Sequence, residues 1–506
     1  RDRAELQTCV AEPGVFPDRV RSRVTAGSGS GYLVDLARLE LARHRLRSWR
    51  GDFSVSGEGY QVNPSLQVID VNWRPLLSLL EGQQVDAVPG AEMLLFWCHP
   101  VSGKVRQSLA RPADLLALKV ISEELDPLVV AATTGRPVGV IDAALEAAVD
   151  RGLLLSPPSR IGRDSQGSPI AAGTPDKYLH AEVFTLQWHI THRCDLHCRH
   201  CYDRSRREDV ELARGLEILD QLRDFCLAKH VRGQVSYSGG NPFMHPEFFQ
   251  LYQGAKDRNL GAAILGNPVS EEQLDRLLEI EEPAFFQVSL EGLEKHNDEI
   301  RGVGNFARVL DFLELLRRKK IYSMVMLTLA RGNLDQVLPL GELLRDRADL
   351  FTYNRLAMVG EGASLESPRA DEYQKFLRDY LQARQRNPVL KIKDSLINIE
   401  YREQDQALFG GCTGFGCGAA FNFVSLLPDG QVHACRKFPS LIGDLSTETL
   451  YEVYASGAAA GYRQGCQECA HCSVRPVCGG CLAVAYGFGL DPLKEKDPAC
   501  FMRQGG

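Results

Sequence analysis

Trp188-His189-Ile190-Thr191-His192-Arg193-Cys194-Asp195-Leu196-His197-Cys198-Arg199-His200-Cys201-Tyr202 is the stretch on which the fold turns. It opens inside a β-rich run, Thr185–Thr191, and passes into a loop whose three cysteines are spaced CX3CX2C. Three thiolates on one tight loop can hold three irons of a 4Fe–4S cluster and leave the fourth iron open to a small molecule. A zinc site would want a fourth protein ligand. His192, His197 or His200 could supply one, so composition alone leaves zinc open.

Downstream, strand and helix patterns alternate. Predicted strands are Thr185–Thr191, Gln234–Ser238, Ala262–Gly266, Phe285–Leu290, Ser323–Leu329 and Tyr353–Met358. Helical periodicity lies between them at Glu211–Lys229, Glu271–Ile280, Val309–Lys319 and Leu334–Arg345. Six strands at intervals of about 30 residues predict parallel βαβ units. The fold class is therefore α/β, a partial (β/α)6 TIM-type barrel over 183–360. In such barrels the chemistry sits at the C-terminal ends of the strands. The cysteine loop follows the first strand and lies there.

CX3CX2C followed by the aromatic Tyr202 resembles the cluster motif of the radical S-adenosylmethionine (SAM) family. The resemblance implies a 4Fe–4S cluster on Cys194, Cys198 and Cys201, with SAM chelating the open iron and split to a 5′-deoxyadenosyl radical. Ser238-Gly239-Gly240-Asn241-Pro242 is similar to the family's Gly-Gly-Glu-Pro, which binds the SAM amine. Asn241 stands where the family has Glu, so a carboxylate-to-ammonium contact is exchanged for an amide oxygen. Ser289-Leu290-Glu291-Gly292, then His296, Asp298, Arg301 and Gly302, resemble a further family stretch. It implies a ribose contact for Ser289 and a SAM carboxylate contact for Arg301. Asn333 follows the fifth strand, where the family often has Asn; loop capping is the plainer role for these three.

The chain has 15 cysteines, and nine of them lie between Cys412 and Cys500. Nine are too many for one zinc, and eight suit two 4Fe–4S clusters. The spacing resembles the SPASM domain, the C-terminal extension of many radical SAM maturases. Cys417, Gly430 and Cys435 fit its first part, Cys469, Cys472 and Cys478 its second, and Cys500 its last; Cys481 comes one residue early. The resemblance implies Cys412, Cys417, Cys435 and Cys481 on one auxiliary cluster and Cys469, Cys472, Cys478 and Cys500 on another. Cys466 is left over, either an alternative ligand or a free thiol. Cys9, Cys98 and Cys226 read as small buried hydrophobes.

The rest of the 506 residues reads as follows. Residues 1–160 form an N-terminal α+β domain. Its first stretch ends in the flexible Gly27-Ser28-Gly29-Ser30-Gly31. A helix follows, with Leu33, Leu36, Leu39, Ala42 and Leu46 on one face. Short strands come next, at Gln67–Val71 and Met93–Trp97, with a hairpin turn at Val101–Lys104. Three short helices over 112–155 and the strand Gly152–Leu155 give a winged-helix-like pattern. Its acidic surface (Glu123, Glu124, Asp126, Asp142, Glu146, Asp150) disfavours DNA, as does the net charge of −7. Peptide docking is the sharper role for this domain and a plain structural role the other. The Gly- and Pro-rich 161–182 reads as a linker, 361–411 as a helical bridge and 412–506 as the iron–sulfur SPASM domain.

No apolar run reaches the roughly 18 residues of a membrane helix, and Arg1-Asp2-Arg3-Ala4 opens no signal-peptide core. The expectation is a reducing, cytoplasmic setting without membrane or DNA partners. The resemblance implies a radical SAM maturase of ribosomally made peptides. Its expected partners are a precursor peptide with a leader and an electron donor such as flavodoxin or ferredoxin. Its expected cofactors are three 4Fe–4S clusters and SAM. Thioether crosslinking is the first product expectation, and Gly-Gly-Asn-Pro resembles selenobiotic-type maturases. Asn63-Pro64-Ser65-Leu66 resembles partner-protein domains of some modified-peptide pathways. Two alternatives stand: a sulfatase-type maturase oxidising Cys or Ser, and a non-catalytic zinc-binding winged-helix scaffold. No general acid or base is assigned; Asp195, His296 and Glu361 are candidates by location.

Overall fold

The computed structural model describes residues 31–55, 57–163 and 174–502, together with residues 17, 18, 21 and 22. Cys9, Gly27–Ser30 and the linker residues Gly167, Pro169 and Gly173 lie outside the described residues. The chain divides into two compact units, Arg1–Pro158 and Ser159–Gly506.

The first unit is built on a three-stranded antiparallel sheet. Helix α1 (Tyr32–Arg47) precedes β1 (Gln61–Val62), β2 (Gln67–Arg74), α2 (Leu76–Leu80), β3 (Val88–Cys98) and β4 (Val105–Leu109). The sheet order is β2-β3-β4, with the expected turn at Gly103 joining β3 to β4. Successive side chains on a strand point to opposite faces, and β3 uses both. Leu94, Phe96 and Cys98 enter a core with Leu39, Ala42 and Leu46 of α1. Leu95 and Trp97 enter a second core with the helices that follow. Those are α3 (Pro112–Ser122), α4 (Pro127–Thr134) and α5 (Val138–Asp150), after which β5 (Leu154–Leu155) pairs antiparallel with β1. Asp142 is a correction to the acidic surface, because α5 turns it inward and leaves it only 6% exposed. Asp126 is the N-cap of α4, accepting from the Leu128 N–H at 2.8 Å.

Asn63 ties this unit together. Its amide donates to the carbonyls of Cys98 (2.9 Å) and Gly152 (2.6 Å), while its oxygen accepts from the Ser65 N–H (2.9 Å). The side chain is fully buried. Asn63→Ala leaves three buried groups without partners at about 1–3 kcal/mol each. We expect a loss of about 3 kcal/mol or more for this unit, read by urea denaturation of the intact protein.

The second unit carries the predicted alternation. In order come β6 (Val183–Thr191), α6 (Leu212–Lys229), β7 (Arg232–Gly239), α7 (Phe248–Lys256), β8 (Gly261–Leu265) and α8 (Glu271–Ile280). They are followed by β9 (Phe286–Ser289), α9 (Glu294–Arg301), α10 (Asn305–Lys319), β10 (Ser323–Leu329), α11 (Val337–Leu344) and β11 (Leu350–Arg355). All six strands pair in parallel in the order β11-β10-β9-β8-β7-β6. Phe184, Leu186, Trp188 and Ile190 of β6 point into one continuous core with the helices. The Ser270–Gln273 capping box starts α8 where its periodicity starts in the sequence. The last strand differs from expectation. It ends at Arg355, and Ala357–Val359 turn out of the ladder, where Gly487 packs so closely on Met358 that a Cβ there would lie 2.6 Å from its N.

Beyond this sheet come α12 (Ala370–Arg384), α13 (Ile397–Glu403), β12 (Phe423–Leu426), β13 (Gln431–His433), β14 (Leu441–Asp444), α14 (Leu450–Ala455), α15 (Gly457–Gln464) and α16 (Leu482–Gly487). β12 pairs in parallel with β6, Phe423 opposite Thr185 through Leu426 opposite Trp188. β13 and β14 continue antiparallel, so the cysteine-rich segment extends the parallel sheet into nine strands.

Candidate functional site

The three-cysteine loop leaves β6 through a fixed bend. A register shift between His189 and Thr191 interrupts the β6–β7 ladder there. The Thr191 hydroxyl donates to Asp209 at 2.6 Å and accepts from the Arg193 N–H at 3.1 Å. From β7, Gly240 N–H donates to the Thr191 carbonyl (3.0 Å) and Asn241 N–H to the Arg193 carbonyl (2.8 Å). The two glycines are required by this approach. A Cβ on Gly239, at φ +130°, would lie 2.0 Å from the Thr191 oxygen, and one on Gly240 2.1 Å from the Arg193 oxygen. Gly240→Ala therefore pushes the cysteine loop off its seat. We expect about 1–3 kcal/mol of overpacking strain and loss of SAM binding, measured by thermal denaturation and calorimetric titration with SAM.

Around the thiols lies a buried charge network. The Arg301 guanidinium grips Glu291 Oε1 through Nε (2.8 Å) and Nη2 (2.6 Å), and its Nη1 reaches to 3.8 Å from Cys198 Sγ. His200 Nε2 lies 3.3 Å from the same oxygen, and Glu291 Oε2 accepts from the Thr328 N–H at 2.7 Å. Burial pushes the Glu291 carboxyl up, but His200 and Arg301 outweigh it and hold the group down to about 2. Most of the Arg301 fork is thus taken by Glu291, with Nη1 left toward the first cysteine set. Asn267 Nδ2 approaches Cys194 Sγ at 3.5 Å and donates to Asp195 Oδ1 at 2.6 Å. Burial pushes the Cys198 and Cys201 thiols up, so a bound cation is needed to hold them as thiolates.

These groups open onto a cavity of about 720 Å³, which also has Tyr202, Ser238, Gly239, Gly240, Ser289 and Arg301 in its walls. That is ample for a small-molecule ligand. The Tyr202 hydroxyl shares a 3.1 Å hydrogen bond with His189 Nε2, and burial holds His189 neutral with its pKa at about 3. Asn241 is not in the cavity wall. Its Nδ2 donates to Asp195 (3.2 Å) and its Oδ1 caps Phe243 (3.4 Å). Asp195 itself is bound by Asn241, Asn267 and Arg308. Glu361 is an exposed partner of Arg204 at 3.8 Å. His296 lines a neighbouring cavity of about 440 Å³ with His200 and Glu291. Asn333 accepts from the Ala330 N–H (2.8 Å) and donates to the Glu291 and Thr328 carbonyls (3.0 Å each), which ties two strand ends together.

The C-terminal cysteines separate into two groups. Cys412, Cys417, Cys435 and Cys481 share a small pocket of about 100 Å³. Its walls include Arg355, Arg436 and Lys437, which also line the large cavity. Each of the four is seated through its backbone N–H: Cys412 to Ser395 Oγ (3.1 Å), Cys417 to the Cys478 carbonyl (3.0 Å), Cys435 to Ser440 Oγ (3.1 Å) and Cys481 to Asp497 Oδ2 (2.7 Å). Burial pushes Cys417 up to about 12 and Cys481 to about 11. Cys469, Cys472, Cys478 and Cys500 form the other group, within electrostatic reach of one another. Cys466 is buried beside Cys469 and its Sγ donates to the Lys494 carbonyl at 3.3 Å. Among the described residues, no group of three or more His, Cys, Asp or Glu is arranged as a ready site for a single metal ion. All-thiol sets of four are the donor chemistry of iron–sulfur clusters and of structural zinc sites.

Between the two C-terminal groups runs a buried ion triad. Arg355 Nε donates to Asp394 Oδ2 at 2.7 Å, and its Nη1 and Nη2 donate to the two oxygens of Asp497 at 2.8 and 2.5 Å. Asp497 in turn holds the Cys481 and Ala499 N–H groups. Asn267, Arg355, Asp497, Arg436 and Lys437 escape a reading of the sequence for motifs, and Glu291, though inside a quoted motif, carries no role there. Asn267 alone carries a positional signal, since it follows the end of the third strand.

Residues 188–343 match the family model described as the radical SAM superfamily. The chain is 24% identical over 347 residues to the AdoMet-dependent heme synthase of Methanosarcina barkeri, covering 63% of this chain and 97% of that relative. It is 25% identical over 324 residues to the antilisterial bacteriocin subtilosin biosynthesis protein AlbA of Bacillus subtilis, covering 60% of this chain and 67% of that one. Among solved structures, Streptococcus suis SuiB bound to S-adenosylmethionine shares the fold, with a TM-score of 0.53 at 14% identity over 81% of this chain and 96% of that one.

Proposed function

We infer, from a chain that carries a radical SAM domain over residues 188–343, that the protein is a radical SAM maturase acting on a ribosomally made precursor peptide. One observation carries the reading furthest: four cysteines gather in a pocket that shares Arg355, Arg436 and Lys437 with the cavity of the three-cysteine loop. An auxiliary electron acceptor beside the SAM cavity suits a peptide oxidation that releases one electron. In this reading Cys194, Cys198 and Cys201 hold the SAM-binding cluster in a partial (β/α)6 barrel. Cys412, Cys417, Cys435 and Cys481 hold one auxiliary cluster of the SPASM type, and Cys469, Cys472, Cys478 and Cys500 another.

The chemistry that bound SAM and a reduced cluster supply is cleavage of the sulfonium to a 5′-deoxyadenosyl radical, which takes hydrogen from an unreactive carbon. The chain's own part is placement. Gly239 and Gly240 let β7 close on the cysteine loop. The Glu291–Arg301–His200 network fixes the ground behind Cys198 with no free carboxylate. Tyr202 and His189 wall the cavity, and Ser238 and Ser289 offer it hydroxyls.

The winged-helix-like first unit would dock a leader peptide and raise the effective concentration of the core peptide at the cavity. Two comparisons support that role. The heme synthase is aligned over 97% of its length to 63% of this chain, which leaves it no length for such a unit. The SuiB alignment spans a larger share of this chain than Ser159–Gly506 makes up, and SuiB has also been solved bound to its precursor peptide SuiA. No described helix is long and apolar enough to cross a membrane; a reducing cytoplasmic setting and a flavodoxin or ferredoxin donor are part of the proposal. Thioether formation is the product class proposed first.

The test is anaerobic incubation of the reconstituted full chain with SAM, dithionite and each short peptide encoded beside its gene. Mass spectrometry is expected to show loss of two hydrogens from one peptide with matching 5′-deoxyadenosine. Peptides left unmodified while SAM is cleaved would overturn the substrate class. About four irons per chain or fewer would overturn the three-cluster reading.

A further inference from the structure

We propose that Lys393 and Lys437 are fixed counter-charges for the pocket of Cys412, Cys417, Cys435 and Cys481, and that they raise its reduction potential so that it accepts the substrate electron. The inference rests on the auxiliary-cluster reading above and assigns this chain's own residues to it.

Both lysines line that pocket. Lys393 lies within electrostatic reach of Cys412 and Cys435, whose thiolates favour the ammonium that burial alone disfavours, and Lys437 lies within reach of Cys435 and Cys481. Among the described residues neither ammonium has a carboxylate partner. The two carboxylates nearby are committed elsewhere: Arg355 binds Asp394 through one nitrogen and Asp497 through two. The fourth cation in the wall, Arg436, donates to Ser238 Oγ at 3.3 Å and also lies within electrostatic reach of Cys435. The pocket therefore sets four cations, Arg355, Arg436, Lys393 and Lys437, against the two carboxylates Asp394 and Asp497, an excess of two positive charges before its own thiols are counted. Half-buried charges without a counter-ion are costly. A 4Fe–4S cluster on four thiolates carries a double negative charge when oxidised and a triple one when reduced. Two cations satisfy the first state and favour the second, because net charge and contacts at the sulfurs are the levers that set cluster potentials. The Lys437 backbone N–H, which bonds the Cys435 sulfur, acts in the same direction.

The experiment uses the reconstituted full chain in a Cys194→Ala, Cys198→Ala, Cys201→Ala background, so that only auxiliary signals remain. The relevant paramagnetic signal is the one abolished by Cys435→Ala. Lys393→Gln and Lys437→Gln are titrated against the parent at fixed potentials, with iron content measured alongside. Each substitution is expected to lower the reduced-to-oxidised ratio about tenfold at the parent midpoint, a shift of about 59 mV for one electron. Lys437→Arg is expected to restore it. An unchanged ratio in both Gln variants at full iron content overturns the proposal. So does loss of the cluster iron, which would make the lysines structural. An unchanged potential, with a raised KM for the peptide when the same Gln substitutions are made in the chain that keeps Cys194, Cys198 and Cys201, overturns it as well, since the lysines would then bind substrate. A parent without a signal that depends on Cys435 defeats the auxiliary-cluster reading itself, and that outcome is distinct from the others.

Discussion

Cys198→Ala is expected to abolish 5′-deoxyadenosine formation. Cys198 sits centrally in the buried network, with Arg301 Nη1 3.8 Å from its sulfur and Glu291 and His200 behind that guanidinium. Removing a partner behind a metal ligand typically costs about 10–100-fold. Removing the ligand from a loop that supplies only three is expected to cost far more, down to the background rate. The assay is anaerobic incubation with SAM and dithionite, followed by chromatography for 5′-deoxyadenosine. Cys226→Ala is the matched control. Cys226 belongs to α6, is more deeply buried than Cys198, and its thiol lies against Gly233 of β7. We expect it to retain turnover at somewhat reduced stability.

Asp497→Ala is the second substitution with a large effect. Asp497 and Arg355 are each only a few per cent exposed. Without the carboxylate, Arg355 keeps only Asp394, and the Cys481 and Ala499 N–H groups lose their acceptor. Breaking one side of a buried pair costs about 3–5 kcal/mol. Because Asp497 seats Cys481 and stands three residues before Cys500, iron is expected to fall at both C-terminal sites together. Denaturation and iron analysis of the same preparation test this. The pH dependence follows from the same group. Burial pushes the Asp497 carboxyl up, yet Arg355 and the backbone N–H groups pull it below its ordinary value. Its stabilisation is therefore fully present above the unfolded value of about 3.9 and is lost as pH falls through the lowered folded value. The parent should lose stability on acidification in that window, and Asp497→Ala should show a flatter profile.

Much of the second unit could be read from residues, because a parallel sheet buries near-continuous apolar strands separated by periodic helices. Ser323–Leu329 and Glu271–Ile280 begin and end where their patterns do. The predicted last strand, Tyr353–Met358, runs instead over Leu350–Arg355, and Met358 beyond its end is packed by Gly487, more than 120 residues away in sequence, a contact no local pattern encodes. The cysteine spacings indicated donors. They could not show that Glu291 occupies most of the Arg301 fork, or that Asn241 turns toward Asp195, since both depend on which strand ends face each other. Cys466 was ambiguous by spacing, and its donation to the Lys494 carbonyl arises from a loop fold that spacing does not encode. Asp142 looked exposed in an acidic stretch because helical phase alone decides which acid turns inward.

The pairing of β12 with β6 has a consequence for how the protein survives its own synthesis. β6 is the first strand of the parallel sheet to leave the ribosome, yet the partner for its outer edge arrives more than 230 residues later. Until then β6 presents an open row of backbone donors and acceptors on an apolar strand, the kind of edge that recruits other chains. A chain truncated before residue 412 would keep that edge permanently. It is expected to aggregate even though every helix of the sheet layer is present. The cysteine-rich tail therefore also covers the edge that the six-stranded parallel sheet would otherwise leave open.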